Sequence, residues 1–141
     1  MTIKINQMLS LRMEWLLAKG ISRQEIVDQL KQGTFAREQQ IGEGTMDFSL
    51  LIEFAETHWD ECEQAILNGY RVTFHTFNGV KSLLAAKFGL QAERDYQDKG
   101  DHLDGIPLSA ADVESLKSIL AVNWRVIEGE HVQIRLAPPQ E

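Results

Sequence analysis

Cysteine is nearly missing from the chain: Cys62 stands alone among 141 residues. No disulfide can form within it, and the small disulfide-stapled folds are excluded. Proline is scarce, with three residues, Pro107, Pro138 and Pro139, so the first hundred residues carry no ring that breaks a helix. No apolar run approaches the ~18–20 residues that a membrane helix needs. The opening residues, Met1 to Asn6, hold no apolar leader and no small-residue cleavage site. With the lone thiol, this leads to the expectation of a cytoplasmic protein without a membrane partner. Basic residues are absent altogether from Glu38 to Tyr70.

What is present is ordinary for a folded chain: 43% hydrophobic, 25% charged and 8% aromatic residues, enough apolar content to exclude disorder as the main state. The length fits one domain of the usual ~100–150 residues. We expect a single domain over 1–141, with a helical subregion at 1–40 joined through Gly42–Gly44 to an α+β body at 46–137. The net charge of -7 is unevenly spread. Six basic residues face three acidic ones up to Arg37; eight acidic and no basic residues follow to Tyr70; then Arg71, Lys81 and Lys87 come before any further acid.

Gln7 to Lys19 predicts a helix of good formers stopped by Gly20. It has two apolar faces, one with Leu9, Met13, Leu16 and Leu17, the other with Met8, Leu11, Trp15 and Ala18. Such a helix is buried on most sides or meets a second copy through the second face, so Trp15 is a candidate contact and a homodimer through this helix is an expected alternative to central burial. Ser22-Arg23-Gln24-Glu25 is a capping box opening a second helix with Ile26, Val27 and Leu30. The run Leu16 to Ile26 resembles the opening of a helix-turn-helix DNA-binding unit. That resemblance implies a recognition helix next, with Arg23, Lys31 and Arg37 as nucleic-acid contacts. Residues 33–40 and the glycines after them offer only a stub of one. Net charge also argues against nucleic acid.

From Met46 or Asp47 to about Leu67, apolar residues recur at three- and four-residue steps: Phe48, Leu51, Ile52, Ala55, Trp59, Cys62 and Ile66. This predicts one long helix. Glu53, Glu56, Asp60 and Glu63 fall together on its far side, with no cation in the helix to relieve them. Like charges at these spacings repel by a few tenths of a kcal/mol per pair, and the stripe is the leading candidate for docking a protein with a basic surface. Tyr70 to Thr76 reads as a strand, and Asn78 or Thr76 as the cap of a helix over 79–88. Residues 91–105 read as a surface loop. Ser109-Ala110-Ala111-Asp112 is a second capping box, and two alternating runs around Glu128-Gly129-Glu130 predict a β-hairpin. A capped helix followed by a hairpin is also how a winged helix ends, but the acidic tip has the wrong charge for phosphate.

The fold expected is therefore α+β, about five helices with a small antiparallel sheet from 70–76, 125–128 and 131–136, including the C-terminal hairpin. Convergent catalytic chemistry is thin. His58 and Cys62 lie four apart on one helix, but two ligands do not make a zinc site, and nothing supplies an orienting group or oxyanion hole for a Cys–His nucleophile. Thr76 to Ser82 runs from strand into helix, and His75, Asn78 and Lys81 form a residual candidate for anion binding at a helix N-terminus. It lacks the glycine spacing of a P-loop. We expect a non-enzymatic regulatory or adaptor protein working through protein contacts, with no cofactor and no metal; the alternative is a DNA-binding transcriptional regulator with a degenerate helix-turn-helix.

Overall fold

The computed structural model describes residues 3–41 and 44–137. The expected Gly42–Gly44 hinge falls partly outside the described residues, and Pro138–Pro139 wholly so. The architecture is α+β, with six helices and small sheets among the described residues. A short strand β1 (Ile3–Ile5) leads into helix α1 (Gln7–Ala18), capped by the Asn6 carboxamide accepting from the Leu9 amide. Helix α2 (Arg23–Gln32) begins on the Ser22 hydroxyl, which accepts from the Glu25 amide at 3.1 Å. It ends where Gly33 takes φ 74°, a left-handed conformation that favours glycine.

Three corrections follow. Residues 38–41 and 44–47 form an antiparallel pair, β2 (Glu38–Ile41) and β3 (Gly44–Asp47), where a recognition stub and a loop were expected. The long helix expected over 46–67 is two, α3 (Ser49–Thr57) and α4 (Trp59–Asn68), broken at His58 with φ -140° and ψ 58°. The physical cause lies in the polar face. Thr57 donates its hydroxyl back to the Glu53 carbonyl at 2.8 Å, competing with the helical ladder, and the clustered acids lack any cation. Restarting at Trp59 puts Asp60 and Glu61 in a first turn, where the helix dipole favours negative charge.

The third correction concerns the sheets. Strand β4 spans only Tyr70–Val72 and lies parallel to β1, with Ile3 opposite Tyr70 and Ile5 opposite Val72. It does not join the C-terminal hairpin, because the chain turns inward at His75 instead of continuing extended. Helix α5 (Phe77–Phe88) follows. The segment read as a loop holds β5 (Gln97–Asp98) and β6 (His102–Ile106); α6 (Ala110–Ile119), β7 (Trp124–Ile127) and β8 (Val132–Leu136) complete the chain. The sheet they build is antiparallel in the order β5-β6-β8-β7. The expected hairpin is β7–β8, and the capping box at Ser109 opens α6 through a bond to the Asp112 amide.

One apolar cluster runs through all of this, from Ile5, Leu9, Met13 and Leu16 through Ile26, Phe48, Leu51 and Leu84 to Leu103, Leu116 and Ile134. Within it α1 packs along α5: Leu9, Met13 and Leu16 are buried, Leu11 and Trp15 half-buried, and only Met8 of the second face's large residues is exposed. No helix among the described residues is long and apolar enough to cross a membrane.

Candidate functional site

The ends of α2 and the length of α3 flank an open groove of about 550 Å³. Its apolar lining comes from Leu30, Phe35, Ile52, Ala55 and Trp59, and its charged rim from Lys31, Arg37 and Glu56. Local structure makes each position. The left-handed Gly33 turns the chain so that Phe35 folds back, edge-on to Phe48 with ring centroids 5.4 Å apart. Phe48, fully buried, meets Trp15 on its other side at 5.7 Å. Arg37 is held by a 2.8 Å bond from its guanidinium to the Ser49 hydroxyl. The Asp47 carboxylate accepts from the Ser49 amide at 2.6 Å; its hydrogen bonds to Ser49, then the charges of Arg37 and Arg12, hold it below the usual carboxylate range.

Of the four acids expected on one stripe, Glu53, Glu56 and Asp60 are exposed and Glu63 is half-buried. The break at His58 divides them, two on each helix, so they do not form a single straight line, and of the four Glu56 lines the groove. None of the four makes an ion pair among the described residues. Trp15 does not join them: it packs under Phe48, with the Lys19 ammonium 4.8 Å above its ring.

The residues singled out for nucleic acid separate. Arg23 donates to the Ile66 carbonyl at 2.6 Å, tying α2 to the end of α4. Lys31 and Arg37 both line the groove, as does Glu56. A strand, not a helix, follows α2.

The anion-binding trio His75, Asn78 and Lys81 is engaged separately within the fold or exposed. His75 is 1% exposed, and its Nδ1 accepts from the Ala121 amide at 3.1 Å. Its own backbone bonds Asn123 and the Trp124 indole, so it stitches β4 to β7. The helix N-terminus is already occupied from within: the Thr76 hydroxyl caps the Gly79 amide, and the Gln7 carboxamide oxygen accepts from the Thr76 amide at 3.0 Å. A Cβ at Gly79 would fall 2.0 Å from that oxygen, so glycine is what lets Gln7 sit there. Lys81 turns away to Asp98 at 2.9 Å, and Asn78 remains exposed at the surface.

Burial lowers the His75 pKa from 6.5 to about 4. The unfolded chain takes up this proton near pH 6.5 and the folded one only near 4. The stabilisation is therefore whole above pH 6.5 and is lost as pH falls toward 4, by up to about 3 kcal/mol. We expect His75→Asn, which keeps an acceptor but cannot ionise, to flatten the fall in urea midpoint between pH 7 and pH 5. An unchanged slope would place the acid sensitivity elsewhere.

His58 and Cys62 do not converge. Cys62 is fully buried, and burial first, then the Glu63 charge, push its thiol up to about 12, a poor nucleophile. His58 is exposed and shares a 2.8 Å contact with the Thr57 hydroxyl. Among the described residues no three His, Cys, Asp or Glu side chains are grouped to hold a metal ion. One polar site was missed by the sequence reading: Glu14, buried on α1, pairs with Lys87 of α5 at 2.9 Å. Its signal was available, since Ser10 and Glu14 form a polar line on an otherwise apolar helix.

No family model, no curated protein and no solved structure matches the chain.

Proposed function

We propose that this chain is a non-enzymatic intracellular regulatory or adaptor protein that docks a partner with a basic surface on the acidic rim of α3 and α4. The observation that carries the reading is a set of exposed acids, Glu53, Glu56 and Asp60, without ion pairs among the described residues, one of which, Glu56, lines the groove with its apolar walls. An apolar anchor of the partner enters between Phe35, Ile52 and Trp59, where desolvation supplies affinity. Its lysines and arginines meet the acids, which speeds encounter and fixes orientation. Lys31 and Arg37, which line the same groove, repel a uniformly basic segment and so limit how it lies.

The test is affinity capture from native extract with the full chain and with Glu53→Lys/Glu56→Lys/Asp60→Lys. All three positions are solvent-exposed, so the variant keeps its helical signal. The expected result is loss of the proteins captured by the wild type. Undiminished capture by the folded variant would remove the acidic rim as the docking face.

A further inference from the structure

A second surface is built at the edge of the C-terminal sheet. Strand β7 is the last strand of that sheet among the described residues, paired on one side only. Its register sets Trp124 opposite Leu136, Arg125 opposite Arg135 and Val126 opposite Ile134. The Ala137 amide donates to the Asn123 carbonyl at 2.9 Å, which identifies residues 123, 125 and 127 as those bonded toward β8. By the alternation of antiparallel ladders, Trp124 and Val126 turn their backbone groups outward. The Trp124 amide bends back to the Ala121 carbonyl; the Val126 amide and carbonyl face the open edge.

The two sides of this edge differ chemically. Ile134 is fully buried, so Trp124 and Val126, which share its face, point coreward. Beside them lies a cleft of about 350 Å³ with apolar lining from Leu120, Val122, Trp124 and Val126 and with Arg71, Lys117 and Arg125 contributing cationic groups to its wall. Val122 is 67% exposed. On the opposite face Arg125 stands directly across from Arg135, and Arg135 directly across from His102. Like charges placed opposite one another destabilise a sheet, and no carboxylate lies within ion-pair distance of Arg125 or Arg135 among the described residues. Lys117 in the same cleft is already paired with Glu128 at 2.8 Å.

We propose that β7 accepts an extended acidic segment of a partner protein as a fifth strand. Alternate residues of that segment are apolar and enter the cleft at Val122 and Trp124. The residues between them are carboxylates and neutralise Arg125 and Arg135. Backbone bonds to Val126 supply the register, the mode by which open sheet edges recognise peptides. A second copy of this chain is the poorer occupant, because edge-to-edge pairing through β7 puts both Arg125 side chains on one face.

The experiment titrates the isotope-labelled full chain with a blocked hexapeptide of alternating glutamate and valine, following backbone amides by NMR. The Val126 amide is expected to shift and to exchange more slowly with solvent, saturably. Arg125→Glu should weaken binding by roughly tenfold or more. Val126→Pro should abolish it, since an edge position whose N–H points outward tolerates proline within the sheet. Unchanged Leu103 and Ile106 signals on β6, two strands away from β7, verify that the sheet is intact in both variants. Equal binding by the lysine–valine peptide, shifts confined to α3 and α4, or self-association through β7 without peptide would each overturn the proposal.

Discussion

Lys87→Ala is expected to cost about 3–5 kcal/mol of folding stability, far more than loss of a surface charge. Lys87 is 17% exposed and its partner Glu14 only 1% by side chain. One carboxylate oxygen of Glu14 takes the ammonium at 2.9 Å, and the other has no hydrogen-bond partner among the described residues. The site is already under-satisfied. Removing the cation leaves an uncompensated charge against the buried Tyr70 phenol, which burial first and Glu14 second hold far above its ordinary pKa. Breaking a buried pair from one side is costly, whereas replacing both partners by apolar groups is often neutral or better. The double variant Glu14→Leu/Lys87→Met should therefore recover most of the loss in urea unfolding followed by tryptophan emission. A single-variant cost under about 1 kcal/mol would mean that the pair behaves like an exposed one.

Phe48→Ala should cost about 3–5 kcal/mol, the usual range for deleting a buried aromatic ring. Phe48 is 0% exposed and sits between Trp15 and Phe35 at 5.7 and 5.4 Å. The consequence reaches the groove between α2 and α3, because Phe35 is one of its walls and loses its packing partner. The wild-type Trp15 emission, set by that packing, should move toward the solvent-exposed value even where the variant remains folded. Phe48→Leu, which refills most of the space, should lose about 1.5 kcal/mol. A smaller loss for alanine than for leucine would contradict this account of the cluster.

These two sites differ in how far the residues announce them. Phe48 was readable: it starts the three- and four-residue recurrence through Leu51 and Ala55, and periodicity reports burial whether or not the helix runs on. The break at His58 was not readable from that recurrence, because the apolar phase continues unbroken through Trp59 and Cys62. What broke the helix was the polar face, where Thr57 and the clustered acids weaken the ladder. Capping boxes at Ser22 and Ser109 were local and therefore legible, as was the β7–β8 hairpin. The parallel pairing of β1 with β4 was not. Ile3 and Tyr70 are far apart in sequence, and three-residue strands carry too little alternation to declare a partner. His75 shows the same limit: its neighbours read as an anion site, but contacts with Ala121 and Asn123 across the fold decided its role. At the proposed docking face, the exposure of Glu53, Glu56 and Asp60 was legible from charge patterning. The groove that Glu56 lines was not, since Phe35 joins Leu30 there only through the Gly33 turn.

The docking face is tested most directly by hydrogen–deuterium exchange on the full chain, free and in complex with a basic partner captured by the wild type but not by Glu53→Lys/Glu56→Lys/Asp60→Lys. Protection is predicted across residues 49–68 and at 30–37, the walls of the groove. Protection confined to other elements, with 49–68 exchanging as in the free chain, would contradict it.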